Sequence, residues 1–176
     1  MKIKTLTFVA LMSALMCILG PLSLPIGPVP ISLTNLVIYF TMYILDTKKG
    51  ALSYLIYLLI GFAGVPVFSG FSSGPAKLLG PTGGYLIGFF FMALITGLFV
   101  SRFSNNKALC ITGMVLATLV TYAFGTAWLA YSAKMTFIAA LAAGVIPFIP
   151  GDLIKIVIAA FVGPILKKRL RKAGLS

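Results

Sequence analysis

Long apolar runs alternate along the chain with short polar or Gly/Pro-rich breaks, and most of the runs are too long and too continuous for half-buried strands. The first follows Met1-Lys2-Ile3-Lys4 and stops at Leu19, before Gly20-Pro21. Others cover Ile31 to Leu45, Ala51 to Phe62, Leu86 to Val100, Ala108 to Tyr131 and Leu153 to Leu166. Each is read as a helix. Asp46-Thr47-Lys48-Lys49-Gly50 and the segment from Ser101 to Lys107 read as polar turns. Gly20 to Pro30 holds Pro21, Pro25, Pro28 and Pro30 and cannot be helical throughout. Pro66 to Tyr85 is the longest irregular stretch, and its end, Gly80-Pro81-Thr82-Gly83-Gly84-Tyr85, reads as a turn and a helix start with Thr82 near the cap. Thr136 to Ile146 is apolar but too short to cross a membrane alone, so it is read as re-entrant or interfacial.

Composition changes this from a helical chain to a membrane chain. Sixty per cent of the 176 residues are hydrophobic and 9% are charged. A soluble domain of this length could not cover such a surface. The expectation is an all-α integral membrane protein: one domain over residues 1–176, six transmembrane helices, and short re-entrant or interfacial loops on the outer side. The chain start has the charge and apolar core of a signal peptide. A retained first helix is favoured, because further spans follow and a helix ending at Gly20-Pro21 needs no cleavage.

The net charge of +12 would fit a nucleic-acid partner, but the basic residues lie between the apolar runs and at the chain ends. They read as anchors to a bilayer surface, with no nucleic acid implied. Six crossings put eleven of the fourteen on the side of the termini and leave Lys77, Lys134 and Lys155 on the other. That bias places both termini in the cytoplasm. With no histidine, two acidic residues and two separated cysteines, Cys17 and Cys110, the chain offers no familiar metal site, redox pair or acid–base machinery. Neither a cofactor nor an enzyme is expected.

Several runs are near 15 residues, which as helix is about 23 Å against a hydrocarbon core near 30 Å. The outer loops must therefore dip to membrane depth, where irregular backbone persists only if protein buries it or it lines a cavity. Such interruptions point to a transporter's binding site. The candidate chemistry lies in Pro150-Gly151-Asp152-Leu153-Ile154-Lys155. Asp152 and Lys155 are i and i+3 on one helical face. A lysine in a first turn opposes the helix dipole and needs an anion, either Asp152 itself or a ligand. A pair that merely satisfies itself and orients the last helix is the plain alternative. Ala10 and Ala14 form a small-residue stripe, which by spacing alone fits close packing inside the same protein.

Gly27-Pro28-Val29-Pro30-Ile31, the Lys49-Gly50 turn, Gly64-Val65-Pro66-Val67-Phe68, Gly80 to Tyr85 and Pro150 to Lys155 occur in an order and spacing that resemble the BioY family. Those proteins are the biotin-specific substrate-binding (S) components of energy-coupling factor transporters, and the resemblance covers residues 1 to about 166. It implies a six-helix bundle in the plasma membrane of a prokaryote that captures biotin from outside. It also implies a membrane T component and two cytosolic ATPase subunits as partners. Asp152 and Lys155 match pocket residues, the stretch holding Thr82, Gly83 and Tyr85 lies against the pocket, and Ala10 and Ala14 match the motif that docks on the T component. Where many relatives have Gln-Thr, this chain has Thr34-Asn35, so Asn35 supplies an amide there. Phe68 and Tyr85 are candidates to pack on the ligand ring, and Lys77 belongs to a basic outer mouth. An S component for another vitamin, and a lone ion-coupled carrier using Asp152, remain as other readings.

Overall fold

A computed structural model describes residues 3–25, 27–104 and 106–173. Lys2, counted above among the basic residues of the chain start, lies outside them. The six long helices are α1 (Ile3–Leu19), α2 (Thr34–Ile44), α3 (Thr47–Phe62), α5 (Gly83–Arg102), α6 (Lys107–Ser132) and α8 (Ile149–Lys172). Two short ones, α4 (Pro75–Leu79) and α7 (Phe137–Gly144), belong to the connections. Strands β1 (Ser23–Leu24) and β2 (Ile31–Ser32) pair antiparallel, with Ser23 opposite Ser32.

Local chemistry sets the boundaries. Asp46 starts α3 by accepting from the Lys49 backbone N–H at 2.9 Å, and Asn106 and Thr136 do the same for α6 and α7. Pro150 sits in the first turn of α8, where its missing N–H costs little. The second apolar run does not become one helix. Ile31-Ser32 is taken into the strand pair, and α2 keeps 11 residues, about 17 Å of helix. Thr82 precedes α5 as expected, yet its hydroxyl makes no cap bond. The last helix runs past Leu166 to Lys172, through Pro164.

The stretches Gly83–Arg102, Lys107–Ser132 and Phe137–Lys172 are long and apolar enough to cross a membrane, the third including α7 and a 3₁₀ turn at Ile146–Phe148. With α1, α2 and α3 they make a six-helix membrane bundle. Short α2 is at its centre, packed on α8, α5, α1 and α3, while α5 and α6 lie along each other. Tyr39, Tyr43, Tyr54, Tyr57 and Met92 fill the interior. Leu59, Leu98, Leu116, Leu119, Ile158 and Phe161 stand exposed around the outside, as a surface solvated by lipid requires. Small residues let bulky ones in: a methyl on Gly125 would collide with the Tyr85 ring, and one on Gly163 with Tyr43.

One end of the bundle carries the charged turns and the start of α1. At the other, the β1–β2 hairpin is tied to a strap over residues 66–74. The strap closes on itself through Phe68 and Ser72, and Gly70 N–H donates to the Pro21 carbonyl at 3.1 Å. Gly64, Gly70 and Gly74 all have positive φ, which lets the strap fold back without a Cβ penalty. A second tie runs from Gly74 N–H to the Gly61 carbonyl at 2.8 Å. This irregular backbone is thus fastened over the helix ends instead of being left to lipid.

Candidate functional site

Where α2, α5, α6 and α8 converge under the hairpin they enclose a cavity of about 610 Å³, counted out to its mouth. Its walls are mostly apolar or aromatic: Val29, Pro30, Tyr57, Leu86, Phe89, Met92 and Phe148. Into it project polar groups from five different elements. Ser32 and Asn35 come from the β2–α2 corner, Thr82 and Tyr85 from the start of α5, Tyr122 from α6, and Asp152 and Lys155 from the first turns of α8.

The buried charges are held at the centre of this set. Asp152 and Lys155 are 6% and 8% exposed, so both must find partners. Lys155 Nζ is 3.0 Å from Asp152 Oδ1 and donates to the Ser32 carbonyl at 2.8 Å. Asn35 Nδ2 donates to the same Oδ1 at 2.7 Å, and the Tyr122 hydroxyl donates to Oδ2 at 2.7 Å. A carboxylate offers about four lone-pair sites and an ammonium three protons. Among the described residues three acceptor sites and two protons are used, so Asp152 Oδ2 keeps one acceptor position and Lys155 one proton. The cluster is neutral as a pair and still has one donor and one acceptor to give. The opposition between Lys155 and the helix dipole noted from sequence is offset by Asp152 and by the strand-end carbonyl.

The lower wall is positioned by hydroxyls committed elsewhere. Tyr85 donates to the Gly144 carbonyl at 2.8 Å and Tyr57 to the Val67 carbonyl at 3.1 Å, so their rings face the cavity in fixed orientation. Tyr39 and Thr118 share a 2.7 Å hydrogen bond one turn below Asn35. Thr82 is different. It is 7% exposed, its Oγ1 has no hydrogen-bond partner among the described residues, and it borders the cavity. A buried hydroxyl left unpaired is costly, so it fits a ligand contact.

Of the residues singled out from sequence, the structure brings Asn35, Thr82, Tyr85, Asp152 and Lys155 to one cavity. It does not bring Phe68 there. That ring is wholly buried against Tyr57, at 5.6 Å between centroids and nearly perpendicular, in the core under the strap. A side chain on Gly83 would run into the Leu78 carbonyl of α4 and, less severely, Trp128 Nε1 of α6, so its part is above all the close approach of α5 to α4. Lys77 lies on α4, half-buried and outside the cavity lining. Ala10 and Ala14 are exposed on α1. Sequence reasoning missed Tyr122 and Ser32. Tyr122 had a signal: Thr118, Thr121, Tyr122 and Gly125 form a small and polar stripe at helical spacing on an otherwise apolar α6. Ser32 acts through its carbonyl, which no side-chain pattern reports.

Comparison with known proteins bears on this site. Residues 1–172 match the BioY family. The "Biotin transporter BioY2" of Lactococcus lactis subsp. cremoris is 34% identical over 96% of this chain and 93% of that protein. The "Probable biotin transporter BioY" of Pyrococcus horikoshii is 40% identical over 92% of this chain and 95% of that protein. In three dimensions the chain superposes with a TM-score of 0.88 on a crystal structure described as the S-component for biotin from an ECF-type ABC transporter. That match covers 95% of this chain and 92% of the other, at 33% identity. A family match along nearly the whole length, with relatives and a structure similar over nine-tenths of both chains, establishes that this chain belongs to the BioY family.

Proposed function

We propose that this protein is the biotin-binding S component of an ECF-type transporter, and not an enzyme: its cavity takes up biotin and the bundle presents it for passage across the membrane. The observation that carries the reading is the one spare acceptor on Asp152 and the one spare proton on Lys155, set in a mostly apolar pocket. Biotin's ureido ring offers an N–H beside a carbonyl, and its thioether ring suits the Tyr57, Tyr85 and Phe89 walls. Because Lys155 already faces Asp152, a ligand carboxylate placed on it would also meet the aspartate. The neutral ureido group fits that corner better, with the carboxylate tail toward the mouth. Asn35 and Tyr122 hold the carboxylate, Thr82 offers its unpaired hydroxyl, and Lys77 adds charge near the outside.

The fold serves this as one membrane domain over residues 1–176, in the plasma membrane of a prokaryote, with both termini cytoplasmic. What supports that orientation is ten basic residues among the described ones at the end of the charged turns, against three at the hairpin end. The partners are a membrane T component and two cytosolic ATPases. The exposed Ala10 and Ala14 on α1 form a stripe on which a partner helix can approach closely.

Three outcomes follow. Asp152→Asn or Lys155→Met alone strands a buried charge and removes a ligand contact, so each weakens biotin by about 2–5 kcal/mol, roughly 30- to several-thousand-fold, by isothermal titration. The double variant Asp152→Asn, Lys155→Met regains thermal stability but stays poor at binding. A well-folded double variant with unchanged affinity would reduce the pair to a structural role. Replacing Ala10 and Ala14 by leucine abolishes co-purification of the T component while biotin binding by the isolated protein persists; the reverse pattern would make the stripe internal packing. In a background lacking Cys17 and Cys110, cysteines at Lys48 and Lys107 resist a membrane-impermeant maleimide in intact cells, and one at Lys77 reacts. Labelling in the opposite sense would invert the topology.

A further inference from the structure

Behind the Tyr122–Asp152 contact lies a second space that the proposed function does not use. It is a crevice between the middle of α6 and the first turns of α8, about 480 Å³ counted out to its open side. Its floor is Thr118, Tyr122, Asp152 and Ile156, and its rims include Leu119 and Leu153. The rims are 55% and 50% exposed, so the crevice opens outward from the bundle, with Tyr122 and Asp152 as the partition it shares with the ligand cavity. Its hydroxyls are committed: Thr118 bonds Tyr39 and the Met114 carbonyl, and Tyr122 donates to Asp152. What faces outward is therefore hydrocarbon.

Depth decides what fills it. The α6 residues of the crevice, Val115 to Tyr122, lie midway along a 26-residue helix, and so at the centre of the bilayer. Water and headgroups are absent at that depth. The crevice is also continuous with the lipid-facing surface of Leu116, Ile154 and Val157. We propose that it is an acyl-chain site. One chain of a bilayer phospholipid lies between α6 and α8 against the back of the Tyr122–Asp152 contact and completes the wall that keeps water from the buried charges.

This inference does not depend on the identity of the ligand in the main cavity, and its test uses none. The wild-type protein is reconstituted in phosphatidylcholine vesicles doped with a phosphatidylcholine carrying a diazirine in mid-chain, irradiated and mapped by peptide mass spectrometry. Adducts should concentrate on Val115, Leu119 and Ile156 and be sparse at Leu59 and Ile158, which are 57% and 40% exposed on the same surface. The variant Val115→Phe, Leu119→Phe fills the crevice. With its thermal stability checked, it should lose the Ile156 adducts and keep the weak labelling of Leu59. Even labelling around the whole surface would mean annular lipid only and overturn the proposal. So would undiminished labelling of Ile156 in the folded, filled variant, or protection of the crevice by another protein component of the assembled transporter.

Discussion

A carboxylate and an ammonium buried in a membrane bundle need partners for most of their hydrogen-bonding capacity, and the rest of this structure can be read from that constraint. Asp152 and Lys155 share one face of α8, but two residues cannot satisfy each other's full hydrogen-bonding capacity. Most of the remainder comes from α2 through Asn35, from α6 through Tyr122, and from the end of β2 through the Ser32 carbonyl. Short α2 and the small hairpin before it therefore have a joint purpose. Ending the helix at Thr34 leaves the Ser32 carbonyl free to face the lysine, where a continuous helix from Ile31 would have committed it to the next turn.

The same constraint explains how a charged corner can coexist with the neutral ligand group proposed for it. The cluster carries no net charge, so nothing in it demands an ion. What it retains is direction: one acceptor position and one proton, fixed by three helices and a strand. Recognition by such a site rests on geometry, and the loss of any supporting group leaves a buried polar atom unpaired. Tyr122 is as much part of this as the charges it serves, although it sits midway along the longest helix.

Much of this was legible in the sequence because membrane helices leave strong marks. Apolar runs, Gly/Pro breaks and the placement of lysines gave the helices, and the Asp152–Lys155 spacing pointed to the site. Residues whose roles depend on long-range contacts were harder. Phe68 and Tyr85 look alike as aromatic residues beside glycine-rich turns. Yet the strap folds Phe68 inward onto Tyr57 and Gly61, while Tyr85, anchored through Gly144, borders the cavity. Gly83 marks a close approach of helices, a meaning that glycine shares with ligand proximity until the neighbour is known. Ser32 was out of reach, since a backbone carbonyl carries no signature in the residue that bears it. The strand pair that frees it is only two residues long on each side.

The central claim is that the neutral, directional cluster around Asp152 belongs to a biotin site. Native mass spectrometry of the protein purified from cells grown with biotin tests it most directly, by weighing whatever stays bound without any assumption about contacts. The account predicts a species heavier than the bare chain by the mass of one biotin, lost in Asp152→Asn. A bare chain after growth in excess biotin, or a bound vitamin of different mass, would contradict it.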